Sequence, residues 1–328
     1  MSKRSSNLTK RLARSMGRAI EEFQLIEEGD RILCAMSGGK DSFVMLHLLE
    51  RLRRRAPVKF ELLAVNVDQG YRGFRTDVLE RYFREHGFTY HIERTNIAGV
   101  IDETMAIQDT HCSMCARLRR GVLYRLAPQL GCNKIALGHH ADDLIETLLM
   151  SQFFNGELCS MPPILRSRDG RNTVIRPLCY AWEEDIRRLS GEVGFPVICC
   201  ACPACGDYSL QRMRMKVLLQ KMETNHPGIK KSLLRALSNV RAGHLLDRRW
   251  LPLPKPNEKT VHPAAVRRRH ANDERRLTPT GIQMEKRATV PSDRRPGING
   301  QELHPTRRRE REPVAADTRP GLAANPES

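Results

Sequence analysis

One junction constrains this chain more than any other stretch. The short apolar run Arg31-Ile32-Leu33-Cys34-Ala35-Met36 is followed at once by Ser37-Gly38-Gly39-Lys40-Asp41-Ser42. The run suits a buried strand, and a helix is expected from about 41 to 54. A glycine pair between strand and helix lets backbone N–H groups approach an anion, and the helix N-terminus adds a positive dipole end. Such a turn is a phosphate cradle. Asp41 and Ser42 fall in the first helical turn, where they cap the helix or face a phosphate-bound metal ion. An ordinary glycine-rich strand-to-helix turn is the plainer alternative. Two familiar phosphate loops are excluded. The Walker A loop needs G-x-x-x-x-G-K-[ST], whereas here Lys40 follows a single glycine pair and Asp41 stands where Ser or Thr is required. The dinucleotide fingerprint needs a third glycine that is missing.

Beyond this junction, strands and helices alternate. Phe60 to Val67 reads as a strand buried on both faces. Residues 76–87 read as a helix, 89–94 as a strand, 113–129 as a helix, 134–137 as a strand and 141–154 as a helix. The alternation predicts the α/β class, with a parallel twisted sheet and helices on both faces. Ligands on such sheets bind at the carboxyl ends of strands. The loop after Met36, Asp68, and Gly138-His139-His140-Ala141-Asp142-Asp143 all fall at such ends and are expected to share one crevice. His139, His140, Asp142 and Asp143 read either as nucleotide or metal-water contacts, or as helix capping by the two aspartates. Asp68 either approaches the nucleotide or ends its strand.

Four regions follow from composition and periodicity. Residues 1–29 hold a basic N-terminal helix, with Leu8, Leu12, Met16, Ile20, Phe23 and Ile26 at helical spacing and Lys10, Arg11, Arg14 and Arg18 among them. Residues 30–180 form the α/β domain around the phosphate loop. Residues 181–250 form a helical segment around a second cysteine cluster, packed on the same domain. Residues 251–328 are a basic Pro/Arg-rich tail without periodicity, expected to be disordered. Its triplets Arg267–Arg269 and Arg307–Arg309 either attract RNA non-specifically or are simply solvated.

The formal net charge is +17, which points to a polyanion partner, RNA foremost; a merely soluble basic surface is the alternative. No apolar run is long enough to span a bilayer, and Met-Ser-Lys-Arg-Ser-Ser opens the chain without an apolar signal core. The expectation is a cytoplasmic protein without membrane attachment. In that reducing compartment the ten cysteines are expected to serve metal or redox chemistry where they cluster, not disulfides.

The clusters are Cys112-Ser113-Met114-Cys115 and Cys199-Cys200-Ala201-Cys202-Pro203-Ala204-Cys205. The first pair opens a helix, whose dipole favours thiolate. Together the clusters fit a four-thiolate zinc site or an iron–sulfur cluster, with unliganded buried cysteines a poor third reading. Cys34, Cys132, Cys159 and Cys179 stand alone in apolar surroundings and read as core residues. Arg117, Arg119 and Arg120 either meet RNA phosphates or line a solvated helix face.

Four stretches carry a resemblance: Ser37–Ser42, the first cysteine pair, Gly138–Asp143, and Phe195 to Arg212. Over residues 10 to 246 the chain resembles the PP-loop ATP pyrophosphatases, and within them the tRNA 2-thiocytidine synthetases (the TtcA family). The resemblance implies that ATP is held by Ser37, Gly38, Gly39, Lys40, Asp41 and Ser42, with Lys40 and Asp41 catalytic and Mg²⁺ bridging phosphates. It implies a [4Fe–4S] cluster on Cys112, Cys115 and Cys202, the last being the first Cys of Cys202-Pro203-Ala204-Cys205-Gly206. Three protein ligands leave one iron open to sulfide, which a four-thiolate zinc site would not. Cys199 and Cys200 depart from the family pattern, where a proline-containing lead-in is typical. The choice among Cys199, Cys200, Cys202 and Cys205 therefore stays open.

The implied activity is an ATP-dependent transfer of sulfur to C2 of cytidine at position 32 of tRNA. The implied partners are tRNA, a cysteine desulfurase as sulfur donor, and a second copy of the chain in a homodimer. Thiolation of another tRNA base by the same chemistry is the nearest alternative; lysine attachment to cytidine would leave the cysteine pair without a purpose. A non-catalytic, zinc-stabilised RNA-binding protein is the alternative from a different class, and it leaves the intact phosphate loop unexplained.

Overall fold

Strand β1 (Arg31–Ala35) is the spine of the fold, and the computed structural model describes residues 3–104, 111–202 and 211–251. Each face of β1 meets a different apolar layer. Ile32 and Cys34 join one core with Leu12, Met16, Phe43, Leu46, Phe83, Ile186 and Leu189. Leu33 joins the other, with Leu63, Val65, Leu126, Ile135 and Val174. A strand buried on both faces must run in a sheet covered on both faces, and parallel pairing supplies that.

β1 pairs in parallel with β2 (Glu61–Asp68) on one side and with β4 (Lys134–Ala136) on the other, with Leu33 opposite both Leu63 and Ile135. β3 (Tyr90–Arg94) lies parallel outside β2. Beyond β4 come β6 (Thr173–Ile175), parallel to it, and β5 (Ile164–Arg166), antiparallel to β6 at the edge. The order is β3-β2-β1-β4-β6-β5. The chain winds outward from β1 to β3, then returns to β4 on the other side. The carboxyl ends of β1 and β4 therefore flank the topological switch point, where such sheets open a crevice. The expected parallel twisted α/β sheet is thus present, with one antiparallel edge strand.

The helices are α1 (Lys3–Glu22), α2 (Lys40–Arg53), α3 (Thr76–Glu85), α4 (Ile97–Thr104), α5 (His111–Gln129), α6 (Ala141–Met150), α7 (Glu183–Val193), α8 (Gln211–Asn225) and α9 (Ile229–Ala236). α1 buries Leu8, Leu12, Met16 and Ala19. Part of its basic face is used internally: Arg11 pairs with Asp185 of α7, and the Arg18 guanidinium lies 3.8 Å from the centre of the Tyr180 ring. All described residues belong to one compact unit, Met1–Leu251; the expected tail from 252 onward lies outside the described residues.

Three elements differ from expectation. The helix expected over 141–154 ends at Met150 and continues as a π turn, Ser151–Asn155, closed by Gly156 at φ 66°. α4 was not anticipated, nor was the β5–β6 hairpin, whose three-residue strands carry too little alternation to be read. Cys159 is exposed, not a core residue as expected: it follows the π turn on the surface, with Sγ 2.9 Å from Ser151 Oγ. Cys34, Cys132 and Cys179 are buried as expected, and burial raises all three thiol pKa values.

Candidate active site

The chain leaves β1 through Met36 and turns at Gly38, whose φ of +83° is a left-handed conformation that suits glycine. Ser42 then anchors the turn, donating from Oγ to Gly39 O at 2.8 Å and lying 3.4 Å from Ser37 Oγ. The Gly39 N–H donates to Ser37 Oγ at 3.3 Å. Buried Asn66, on β2, donates to Met36 O at 2.7 Å and fixes the end of β1. The expected glycine turn between β1 and α2 is formed.

A second glycine makes the cradle possible. A Cβ on Gly138, just past β4, would lie 3.1 Å from the Asp41 carbonyl carbon and 3.2 Å from Ser42 N. The two strand ends at the switch point therefore pack backbone to backbone. His140 and Asp143 cap α6 reciprocally: the His140 N–H donates to Asp143 Oδ2 at 3.0 Å, and the Asp143 N–H to His140 Nδ1 at 3.4 Å. Asp142 accepts from the Glu183 N–H at 2.8 Å and from Lys230 Nζ at 2.8 Å. Of the two aspartates expected to cap α6, only Asp143 does so, with His140 as its partner; Asp142 binds α7 and α9 instead. His139 meets Arg176 at 3.3 Å, and burial lowers its pKa. Asp68 accepts from the Gly70 N–H at 2.9 Å and closes the turn after β2.

Lys40 stands between two carboxylates, with Nζ 3.2 Å from Asp41 Oδ2 and 3.1 Å from Glu183 Oε1. Burial works against its charge, but Asp41 and Glu183 outweigh it and raise its pKa. Glu183 is shared with Lys216 of α8 at 2.6 Å. Burial opposes its charge too, yet Lys216 and Lys40 hold its pKa down to about 2. One oxygen at the centre is left over. Asp41 Oδ1 is buried and accepts no hydrogen bond among the described residues; His140 Nε2 lies 3.7 Å from it. A buried carboxylate oxygen without a donor is costly, and a hard cation or its water would relieve it. Mg²⁺ therefore fits here.

The cysteines approach the same end of the sheet. Cys112 and Cys115 lie in the first turn of α5, three residues apart and so on one face. Burial raises the Cys115 pKa, with Arg119 opposing and the charges of Cys112 and Cys200 adding. Cys200 Sγ lies 3.1 Å from Cys202 Sγ, and Ala201 between them has φ 55°. Tyr71, in the loop after β2, senses both clusters: burial pushes its phenol up to about 12, aided by Cys115, Cys202, Asp102 and Cys200. Among the described residues no three His, Cys, Asp or Glu side chains stand close enough to hold one ion, and Cys205 lies outside them. Cys112 is exposed, Cys115, Cys200 and Cys202 are half-buried, and thiols are the donor type an iron–sulfur cluster takes. Arg117 and Arg120 are exposed on α5, and Arg119 is half-buried beside Cys115.

The phosphate loop and the second cysteine segment touch directly. The Ile198 N–H donates to Gly38 O at 2.9 Å. Phe195 stacks on Phe43 of α2 with ring centroids 5.6 Å apart and planes 9° from parallel. A chain pinned at Phe195 and Ile198 reaches Cys200 two residues later. Glu183, Lys216, Arg212, Lys230, Asn66, Tyr71 and Ile198 were not singled out from the sequence. Glu183 opens Glu183-Glu184-Asp185, which reads as an ordinary acidic helix start. The cationic partners lie on α8 and α9, and only the fold shows which face of each turns inward.

A PP-loop domain family matches residues 8–220. The tRNA-cytidine(32) 2-sulfurtransferase of Citrifermentans bemidjiense is 56% identical over 238 residues, covering 73% of this chain and 93% of that protein. The protein of the same name from Geotalea uraniireducens is 55% identical over 239 residues, covering 73% and 95%. In fold, the chain is similar to the U34-tRNA thiolase NcsA from Methanococcus maripaludis with its [4Fe–4S] cluster, with a TM-score of 0.60, 23% identity, and coverage of 72% of this chain and 79% of that one. The chain belongs to the PP-loop family and, within it, to the family of the tRNA-cytidine(32) 2-sulfurtransferases.

Proposed function

We propose that this enzyme replaces the C2 oxygen of cytidine 32 in tRNA with sulfur, at the expense of ATP. The observation that carries the reading is the junction at Gly38 and Ile198, which joins a phosphate loop to a cysteine segment. ATP lies with its phosphates on the Ser37–Ser42 turn, where backbone N–H groups and Lys40 take up negative charge. Asp41 would hold Mg²⁺, directly or through water. The C2 carbonyl oxygen attacks the α-phosphorus, the α–β bridging P–O bond breaks, and pyrophosphate leaves into the Lys40 side of the cradle. The base, now carrying AMP on that oxygen, is open to sulfur at C2. Sulfide adds there, the C–O bond breaks, and AMP departs with its electron pair. Lys40 acts as a charge throughout, since its pKa is raised.

Cys112, Cys115 and Cys202 would hold a [4Fe–4S] cluster, with Cys200 an added thiol nearby. When bound, the cluster supplies a soft metal site at which sulfide is kept near the activated base. The sulfur comes from a cysteine desulfurase, and the chain works as a cytoplasmic homodimer. No described helix is long and apolar enough to cross a membrane. The division into residues 1–29, 30–180, 181–250 and a tail at 251–328 belongs to this reading.

The test is a reaction run without oxygen, with unmodified tRNA transcript, Mg²⁺-ATP and sulfide. The expected products are 2-thiocytidine in the digested tRNA, pyrophosphate and AMP in equal amounts. ADP and phosphate, or pyrophosphate without thionucleoside, would overturn the proposal.

A further inference from the structure

The helical hairpin α8–α9 presents three faces with different chemistry. One is apolar: Met215 and Leu219 pack with Ile145 and Leu149 of α6, and Leu233 and Leu234 join them from α9. A second is tied to the site. Arg212 Nη1 lies 3.1 Å from Asp143 Oδ1, Lys216 Nζ 2.6 Å from Glu183, and Lys230 Nζ 2.8 Å from Asp142. Because Glu183 also holds Lys40, α8 stands one side chain away from the phosphate loop.

The third face looks outward. Arg214, Val217 and Lys221 follow at spacings of three and four, so they share a stripe on α8, and all three are exposed. Lys231 and Arg235 form the matching i,i+4 pair on α9, also exposed. Arg214, Lys221, Lys231 and Arg235 have no ion pair among the described residues. Glu223, the only carboxylate of the hairpin, is occupied by the N–H groups of Gly228 and Lys230. Residues 211–251 hold ten Lys and Arg against two Asp and Glu, so about an eighth of the chain carries +8 of its +17.

We propose that the outward face of α8–α9 docks the phosphate backbone of the tRNA substrate, an assignment that rests on the thiolation reading. Regularly spaced cations unpaired among the described residues suit a regularly spaced polyanion. An anionic membrane fits less well, because the stripe interleaves its cations with one valine and no aromatic residue. Position also favours the substrate. A polyanion held on this face lies beside the helix whose other flank carries Arg212, Lys216 and Lys230, so docking brings the nucleic acid to the edge of the ATP site.

The test uses the full chain and a fluorescent, unmodified tRNA transcript, titrated at several salt concentrations. Arg214→Glu/Lys221→Glu/Arg235→Glu is expected to raise Kd at least tenfold and to lower the salt slope by roughly two to three. Arg187→Glu/Arg188→Glu, on the exposed side of α7, serves as a control and leaves both unchanged. Should the triple variant fail to fold, the three single reversals replace it, each lowering the slope by about one. Wild-type affinity and slope in a folded triple variant would overturn the assignment. So would loss of binding to anionic phospholipid vesicles with tRNA binding intact. A wild-type chain that binds no tRNA would instead overturn the thiolation reading itself.

Discussion

Gly38→Ala probes the junction on which the functional reading depends. Two costs add at this position. The backbone sits at φ +83°, where a Cβ costs about 1–2 kcal/mol. The new Cβ would also overlap Cγ1 of Ile198 and lie 2.8 Å from its Cδ1. Overpacking of that kind costs about 1–3 kcal/mol. The single variant should therefore lose about 2–5 kcal/mol in urea unfolding and bind ATP more weakly. Ile198→Ala removes the atoms in the way but not the backbone strain. Gly38→Ala/Ile198→Ala should thus recover the overpacking part, giving a coupling of about 1–3 kcal/mol in the double-mutant cycle. ATP affinity, measured by equilibrium titration of the four proteins, should recover in parallel. Strict additivity in both measurements would refute the contact between the phosphate loop and the cysteine segment.

Three further outcomes follow. Gly138→Ala places a methyl group 3.1–3.2 Å from the backbone of Asp41 and Ser42, so it should reduce ATP-dependent pyrophosphate release by roughly tenfold to a hundredfold; Gly191→Ala, in a helix with open space around it, should raise stability by about 0.5–1 kcal/mol and leave the reaction alone. Asp41→Asn should lower Mg²⁺-dependent pyrophosphate release by about a hundredfold or more, while its unfolding free energy stays within about 1 kcal/mol, because the charge it loses is only partly paired. Glu146 is buried, and burial with the nearby Asp143 charge pushes its pKa up to about 7 against Arg212 and Lys216. Its raised pKa contributes stability that is complete below about 4.5 and is lost as pH rises through about 7, on the order of 3 kcal/mol in total; Glu146→Gln should remove that dependence and unfold at higher denaturant than wild type at pH 8, and an unchanged pH profile would contradict the assignment.

The sheet was legible because β1, β2 and β4 are apolar runs separated by helix-length segments. β1, β2, β3 and β4 each begin or end within a residue or two of the sequence reading. The loop at Ser37–Ser42 was legible because glycine, lysine and aspartate at a strand-to-helix turn have few other uses. What stayed hidden depends on contacts between distant segments. Glu183 holds Lys40 across a separation that no local pattern encodes. Ile198 meets Gly38 three residues after Phe195 stacks on Phe43, a pairing of segments far apart in the chain. The Gly138–Asp143 stretch shows the opposite limit. Its His and Asp residues suggest chemistry, yet His140 and Asp143 spend their hydrogen bonds capping α6, and Asp142 ties α6 to α7 and α9.

The account joins an ATP loop to a sulfur-handling thiol site, and one analysis of the protein purified without oxygen addresses that claim directly. Metal content, acid-labile sulfide and the visible spectrum are measured together, in the wild type and in Cys112→Ala. The account predicts iron and sulfide in near-equal amounts with a broad brown absorption, all lost in the variant. One tightly bound zinc with no sulfide would contradict it, leaving the ATP loop in place but the cysteines structural.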